Sequence, residues 1–98
     1  MKIALICTGG LSTNWILNKL RDYAQSQNQT IDFKAYGLTD YFPNAQDADA
    51  VLLGPQIGYY QKDIESRLGR KIGVISSNDY ATANAEHILN QAFTLAGK

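Results

Sequence analysis

The sequence is poor in the residues that most often announce a chemistry. Among 98 residues it has one cysteine, one histidine and two prolines, and it has no low-complexity tract. A single cysteine forms no internal disulfide, and metal motifs built on cysteine pairs are excluded. No sign of charge prevails: nine basic and nine acidic residues cancel. A general electrostatic attraction to nucleic acid or anionic lipid is therefore not implied. No stretch approaches the roughly 20 apolar residues that cross a bilayer. The opening charge at Lys2 followed by Ile3-Ala4-Leu5-Ile6 is too short for a signal-peptide core. So little chain cannot build a second core, so residues 1–98 are expected to form one domain, cytoplasmic and soluble. Cys7 is then either a buried filler or a reactive thiol.

What is present is a regular alternation. Lys2–Cys7 and Ala50–Leu53 are continuous apolar runs, as expected of parallel strands covered on both faces. Lys71–Ile75 is shorter and is interrupted by Gly73. Ile31–Tyr36 instead alternates, with Ile31, Phe33 and Ala35 against Asp32, Lys34 and Tyr36, which predicts a half-exposed edge strand. Between these runs, Ile16, Leu17, Leu20, Tyr23 and Ala24 form a helical stripe within Ser12 to about Gln27. Ile57, Tyr60, Ile64 and Leu68 repeat that stripe from Pro55 to Leu68, with Pro55 suited to a first turn and Gly69 to a stop. A last stripe of Ala85, Ile88, Leu89, Ala92, Phe93 and Ala96 predicts a helix from about Ala83 to Ala96. Pro43 limits any helix within Thr39–Asp49 to a turn or two.

A βαβαβαβα order predicts an α/β fold: a single doubly wound four-stranded parallel sheet with helices on both faces. With the second strand at an edge, the expected order is 2-1-3-4. In that topology a ligand site lies beyond the carboxyl end of the first strand, beside the third, and Cys7 stands at that end.

The segment Cys7-Thr8-Gly9-Gly10-Leu11-Ser12-Thr13-Asn14 joins the first strand to the first helix. Its two glycines permit a tight turn, and the helix start supplies free N–H groups at a positive dipole end. Ser12, Thr13 and Asn14 can cap the helix or donate to an oxyanion. Such a loop is a phosphate cradle, and the same field favours a thiolate over a thiol. A lone cysteine at a strand end is usually an inert small hydrophobe; here the adjoining loop and the switch-point position favour function. Other phosphate loops fit poorly, since G-x-x-x-x-G-K-[ST] and G-x-G-x-x-G are both absent. The main alternative is a low-molecular-weight cysteine phosphatase or an arsenate reductase, which places arginine six residues after its cysteine. Thr13 occupies that position, so the guanidinium clamp on a phosphoryl transition state is missing. No D-P dipeptide supplies a general acid either. The pattern suits a phosphoryl group that is held and passed on.

Cys7-Thr8-Gly9-Gly10-Leu11-Ser12-Thr13 resembles the C-[SA]-x-G-M-S-T loop of a known family. That family is the IIB component of the lactose/cellobiose class of the phosphoenolpyruvate-dependent sugar phosphotransferase system. Asp49-Ala50-Val51-Leu52-Leu53-Gly54-Pro55-Gln56-Ile57-Gly58-Tyr59 is similar to a second motif of the family, D-[VA]-[VI]-L-L-G-P-Q-[IV]-x-[YF]. The chain departs from the pattern at Leu11, where methionine is usual, at Asn14, and at Ser76, where the family often has aspartate. The resemblance implies that a histidine of a IIA protein donates phosphate to Cys7. Cys7 then phosphorylates a sugar, a β-linked disaccharide such as cellobiose, chitobiose or lactose, held by the IIC membrane permease. It implies a protein-cysteine phosphotransferase that needs no cofactor or metal and associates with the permease transiently.

A donor histidine and then a bound sugar must each reach the sulfur, which predicts an exposed Cys7 on a surface without strong charge. Gly54-Pro55-Gln56, at the end of the third strand, is expected to form the second wall of the site; Gln56 either touches the phosphate or a partner, or the turn merely starts a helix. Tyr80, with Ser76, Ser77, Asn78 and Asp79, is read as the loop after the fourth strand, either a partner rim or a solvated turn. Trp15 is assigned either to packing on the adjacent loop or to a partner contact. His87 is expected at the surface, far from the strand carboxyl ends. Of Tyr59 and Tyr60, one should be in the core and the other more exposed.

Overall fold

Lys2–Ile6 forms the first strand, β1, as the apolar run requires, and lies between two parallel neighbours. On one side is β2 (Asp32–Tyr36), in register Ile3 with Phe33; on the other is β3 (Ala50–Leu53), in register Ile3 with Ala50. β4 (Gly73–Val74) pairs with β3, giving the order β2-β1-β3-β4 expected from the sequence. This computed structural model describes residues 1–8 and 11–97, and for residues 11 and 12 the backbone alone.

The α-helices of the described residues are α1 (Leu11–Ser26), α2 (Gln61–Leu68), α3 (Ser77–Ala81) and α4 (Ala85–Ala96). The pleat of β1 sends alternate side chains to opposite faces. Ile3, Leu5 and Cys7 pack with Ile16, Leu17 and Leu20 of α1 and with Ile88, Leu89 and Ala92 of α4. Ala4 and Ile6 face the other way, onto Ile64 and Leu68 of α2 and onto Tyr41, Ala45 and Ala48 of the turns before β3. Both faces are thus covered, and each fully buried Ile or Leu contributes about 1.5–3 kcal/mol of transfer free energy.

Three elements differ from the sequence reading, each for a local reason. The helix expected over Pro55–Leu68 is split into a 3-10 segment, Pro55–Tyr60, and α2. Ile57 breaks the helical geometry at φ −121° and ψ 25°, and its side chain is buried in the core. Gly69 ends α2 in the left-handed region (φ 67°), where glycine carries no Cβ penalty. The Ser76–Tyr80 loop is a short helix, because the Ser76 hydroxyl accepts from the Asp79 backbone N–H at 3.1 Å and caps it. β4 is only two residues long, and side chains take the outward backbone groups beside it. The Gln61 amide donates to Ile72 O (3.1 Å), the Gln91 amide to Val74 O (3.0 Å), and Ile72 N–H donates to Glu65 (3.0 Å). At the opposite edge Arg21 donates to Phe33 O at 3.2 Å. Such contacts blunt both sheet edges against a further strand.

Candidate functional site

The carboxyl ends of β1 and β3 meet at Cys7 and Gly54. Cys7 lies one residue beyond β1, and its N–H donates to Tyr36 O at 3.0 Å, so its backbone is held by the β2 ladder. Gly54 N–H donates to Ile6 O at 2.9 Å on the other side. A Cβ placed on Gly54 would stand 3.3 Å from the Cys7 Cβ and 2.9 Å from Gln56 Oε1. Glycine at 54 is therefore a matter of space: its φ of −63° is open to any residue. The sequence reading puts Gly54 in the site wall but does not show why glycine is needed there.

The thiol has one side-chain partner among the described residues. Thr13, in the first turn of α1, brings Oγ1 to 3.0 Å from the Cys7 Sγ, with either atom able to donate. Thr13 is itself buried, at 4% exposure. Cys7 is 2% exposed, which corrects the expectation of an exposed rim. Its side chain turns into the α1 and α4 face of the sheet, and the α1 first turn closes over it. Thr8 and Asn14 are exposed on either side of this contact. Gly9 and Gly10, assigned to the cradle, lie outside the described residues, as do the side chains of Leu11 and Ser12.

Gln56 and Tyr80, the two residues assigned to the site wall, do come together. With Pro55, Ser77 and Ala81 they line a cavity of about 220 Å³ between the ends of β3 and β4. Gln56 is exposed, whereas Tyr80 is 7% exposed and belongs to the core, so its assignment to a solvated loop is corrected by the α3 helix. Trp15 is 43% exposed, on the solvent side of α1. Tyr59 is 78% exposed and stacks at 4.6 Å on Tyr60, which packs against the core as expected of one of the pair. His87 is at the surface, but in the first turn of α4, where Nδ1 meets Asp79 Oδ1 of α3 at 3.1 Å. Helices following parallel strands start at the carboxyl edge, so His87 stands at that edge and not far from it. Among the described residues no group of His, Cys, Asp and Glu is placed to hold a metal, and no helix is long and apolar enough to cross a membrane.

A four-stranded parallel sheet with one thiol at the carboxyl end of its first strand, beside a helix start, defines an α/β domain of doubly wound topology. The residue pattern of the family described as "PTS system, Lactose/Cellobiose specific IIB subunit" matches residues 2–91. The chain belongs to that family of sugar phosphotransferase components. It is 30% identical over 97 residues to the oligo-beta-mannoside-specific EIIB component of Bacillus subtilis, covering 96% of this chain and 94% of that one. It is 25% identical over 101 residues to the cellobiose-specific EIIB component of Lactococcus lactis subsp. lactis, covering 95% and 94%. Its fold matches the solution structure of the cellobiose-specific IIB component from Borrelia burgdorferi with a TM-score of 0.81 at 30% identity, over 99% of this chain and 92% of that one. The lactose-specific IIB domain from Streptococcus pneumoniae superposes with a TM-score of 0.77 at 16% identity, over 93% and 96%, a likeness of fold.

Proposed function

We propose that the chain is a cytoplasmic phosphoryl carrier that takes the group from a IIA histidine onto Cys7 and delivers it to a sugar in the IIC permease. In the first step the sulfur attacks phosphorus, an S–P bond forms and the histidine N–P bond breaks. The thiol proton passes to the departing imidazole nitrogen. In the second step a sugar hydroxyl oxygen attacks, the S–P bond breaks, and the hydroxyl proton restores the thiol. Neither step needs ATP, a metal or another cofactor. The sugar class we assign is a β-linked disaccharide such as cellobiose, chitobiose or lactose.

The observation that carries this reading is the Cys7–Thr13 contact at the carboxyl end of β1. It puts the chain's one thiol beside a hydroxyl and the first turn of α1, a place suited to a bound phosphoryl group. Thr8, Gly9, Gly10, Leu11, Ser12, Thr13 and Asn14 are the proposed phosphate loop, with Gln56 and Tyr80 as its far wall. Because Cys7 is 2% exposed, the Thr13 contact must open for a partner to approach in line. Trp15, Gln56 and the exposed start of α3 form a partner surface with little charge, suited to the brief, weak contacts of a relay. Thr13 in place of arginine speaks against the phosphatase alternative. The test is sugar phosphorylation with IIA and IIC-containing membranes. The wild-type chain should support it and folded Cys7→Ser should not; a serine variant at wild-type rate would rule out carriage on Cys7.

A further inference from the structure

A second cavity lies on the other face of the sheet from Cys7. Leu38, Tyr41, Tyr60, Asp63, Ile64 and Arg67 enclose about 300 Å³ between α2 and the turn that follows β2. That volume is at the small end of pockets that hold ligands, about 300–1,000 Å³. Tyr41 and Ile64 belong to the core cluster on the α2 face, whereas Cys7 belongs to the cluster on the α1 and α4 face. The cavity is therefore separate from the proposed phosphate loop.

Its polar groups are unused by the protein. Asp63 and Arg67 stand four residues apart on α2, a spacing at which such pairs commonly bridge. Yet no ion pair joins them, and among the described residues neither the Asp63 nor the Arg67 side chain makes a hydrogen bond. The Arg67 guanidinium instead lies over the Phe42 ring at 4.8 Å and the Tyr41 ring at 5.7 Å, which holds it in place with its N–H donors free. The Tyr41 and Tyr60 hydroxyls likewise have no partner among the described residues, and neither is sealed from solvent.

The charge pattern selects the guest. An anion would satisfy Arg67 but meet the like charge of Asp63, and a cation would do the reverse. A wholly apolar guest would strip water from both without replacing its hydrogen bonds. A neutral ring carrying hydroxyls satisfies both, because each hydroxyl can donate to the carboxylate or accept from the guanidinium. The C–H face of such a ring, slightly positive, suits the negative face of a tyrosine ring. We propose that this cavity binds a neutral carbohydrate ring, at a site distinct from the one where the sugar would be phosphorylated.

The test uses the full, unphosphorylated chain without partners, so it is independent of whether Cys7 carries phosphate. Methyl β-D-glucopyranoside is titrated into ¹⁵N-labelled protein, and amide shifts are followed by NMR. Saturable shifts should centre on Leu38, Tyr41, Tyr60, Asp63 and Arg67. Asp63→Asn and Arg67→Gln should each weaken binding about tenfold, the loss expected for a hydrogen bond to a charged group, while the rest of the spectrum stays at wild-type positions. Absence of saturable shifts at these residues overturns the proposal. So do shifts produced by inorganic phosphate but not by the glycoside, and so does unchanged affinity in both variants.

Discussion

Gly54→Ala tests the contact between the ends of β1 and β3. The backbone at 54 (φ −63°, ψ 146°) accepts alanine without strain, so the unfolded chain loses entropy and the substitution would by that alone stabilise by about 0.4–1 kcal/mol. Three atoms oppose the new methyl. Gln56 Oε1 at 2.9 Å is the end of an exposed side chain and can swing away. Ile6 O at 3.7 Å is in ordinary contact. The Cys7 Cβ at 3.3 Å is the obstacle, because Cys7 is buried and its N–H is held by Tyr36 O. Overpacking of this kind costs about 1–3 kcal/mol, which leaves a net loss near 1 kcal/mol and a Tm lower by about 4–8 °C. Transfer should suffer more than stability. A shift of ~1 Å at a reacting group costs about 100-fold, so a few tenths of an ångström at Cys7 should slow transfer by up to about tenfold. The assays are calorimetry and single-turnover phosphoryl transfer from phosphorylated IIA, with Gly69→Ala as control. The control is strained by its φ of 67° and should also lose stability, while keeping the wild-type transfer rate. A Gly54→Ala chain that melts higher and transfers at the wild-type rate would refute the reasoning.

Thr13→Val keeps the buried shape but removes the hydroxyl at 3.0 Å from the sulfur; transfer should slow about tenfold with a stability change of about 1 kcal/mol, and an unaltered rate in the same single-turnover assay would deny Thr13 a role. Ile64→Ala, at a side chain 1% exposed beneath the α2 face, should cost about 2–5 kcal/mol in urea denaturation, and a loss under 1 kcal/mol would place α2 outside the core. Lys2 Nζ meets Asp47 Oδ1 at 2.7 Å, and that hydrogen bond holds the Asp47 carboxyl below the ordinary aspartate range and the Lys2 ammonium above the ordinary lysine range. The Asp47 contribution is present above the unfolded aspartate range and is lost as pH falls through its lowered folded value. The Lys2 contribution is complete below the ordinary lysine range and is lost as pH rises through its raised folded value. The stability difference between wild type and Asp47→Asn should therefore be flat around neutral pH, shrink in strong acid and shrink in about 1 M salt; a difference that widens in acid would contradict the pair.

The fold was legible because the strands announced themselves in two ways. The continuous apolar runs at β1 and β3 marked the sheet centre, and the alternation at Ile31–Tyr36 marked an edge; together these specify the order 2-1-3-4. What escaped was local competition. Ile57 gains more from burial than from helical geometry, and the Ser76 hydroxyl turns a polar run into a capped helix that pulls Tyr80 inward. At the site, the loop pattern marks both Cys7 and Thr13, but the 3.0 Å approach of the hydroxyl to the sulfur depends on how the first turn of α1 packs and leaves no trace in the pattern. The burial of Cys7 was misread because the requirement for partner access was taken as a property of the resting state. The Gly54 contact joins residues far apart in sequence, and no periodicity carries such information.

The central claim, a phosphoryl group held on Cys7, is tested most directly by mapping the modified residue. The chain is incubated with phosphorylated IIA, digested under mild conditions and fragmented by mass spectrometry. The account predicts a gain of one phosphoryl group on the peptide containing Cys7, with the added mass on the sulfur and no gain in Cys7→Ser. A phosphoryl group found on His87, the chain's one histidine, or an equal gain in the serine variant, would contradict it.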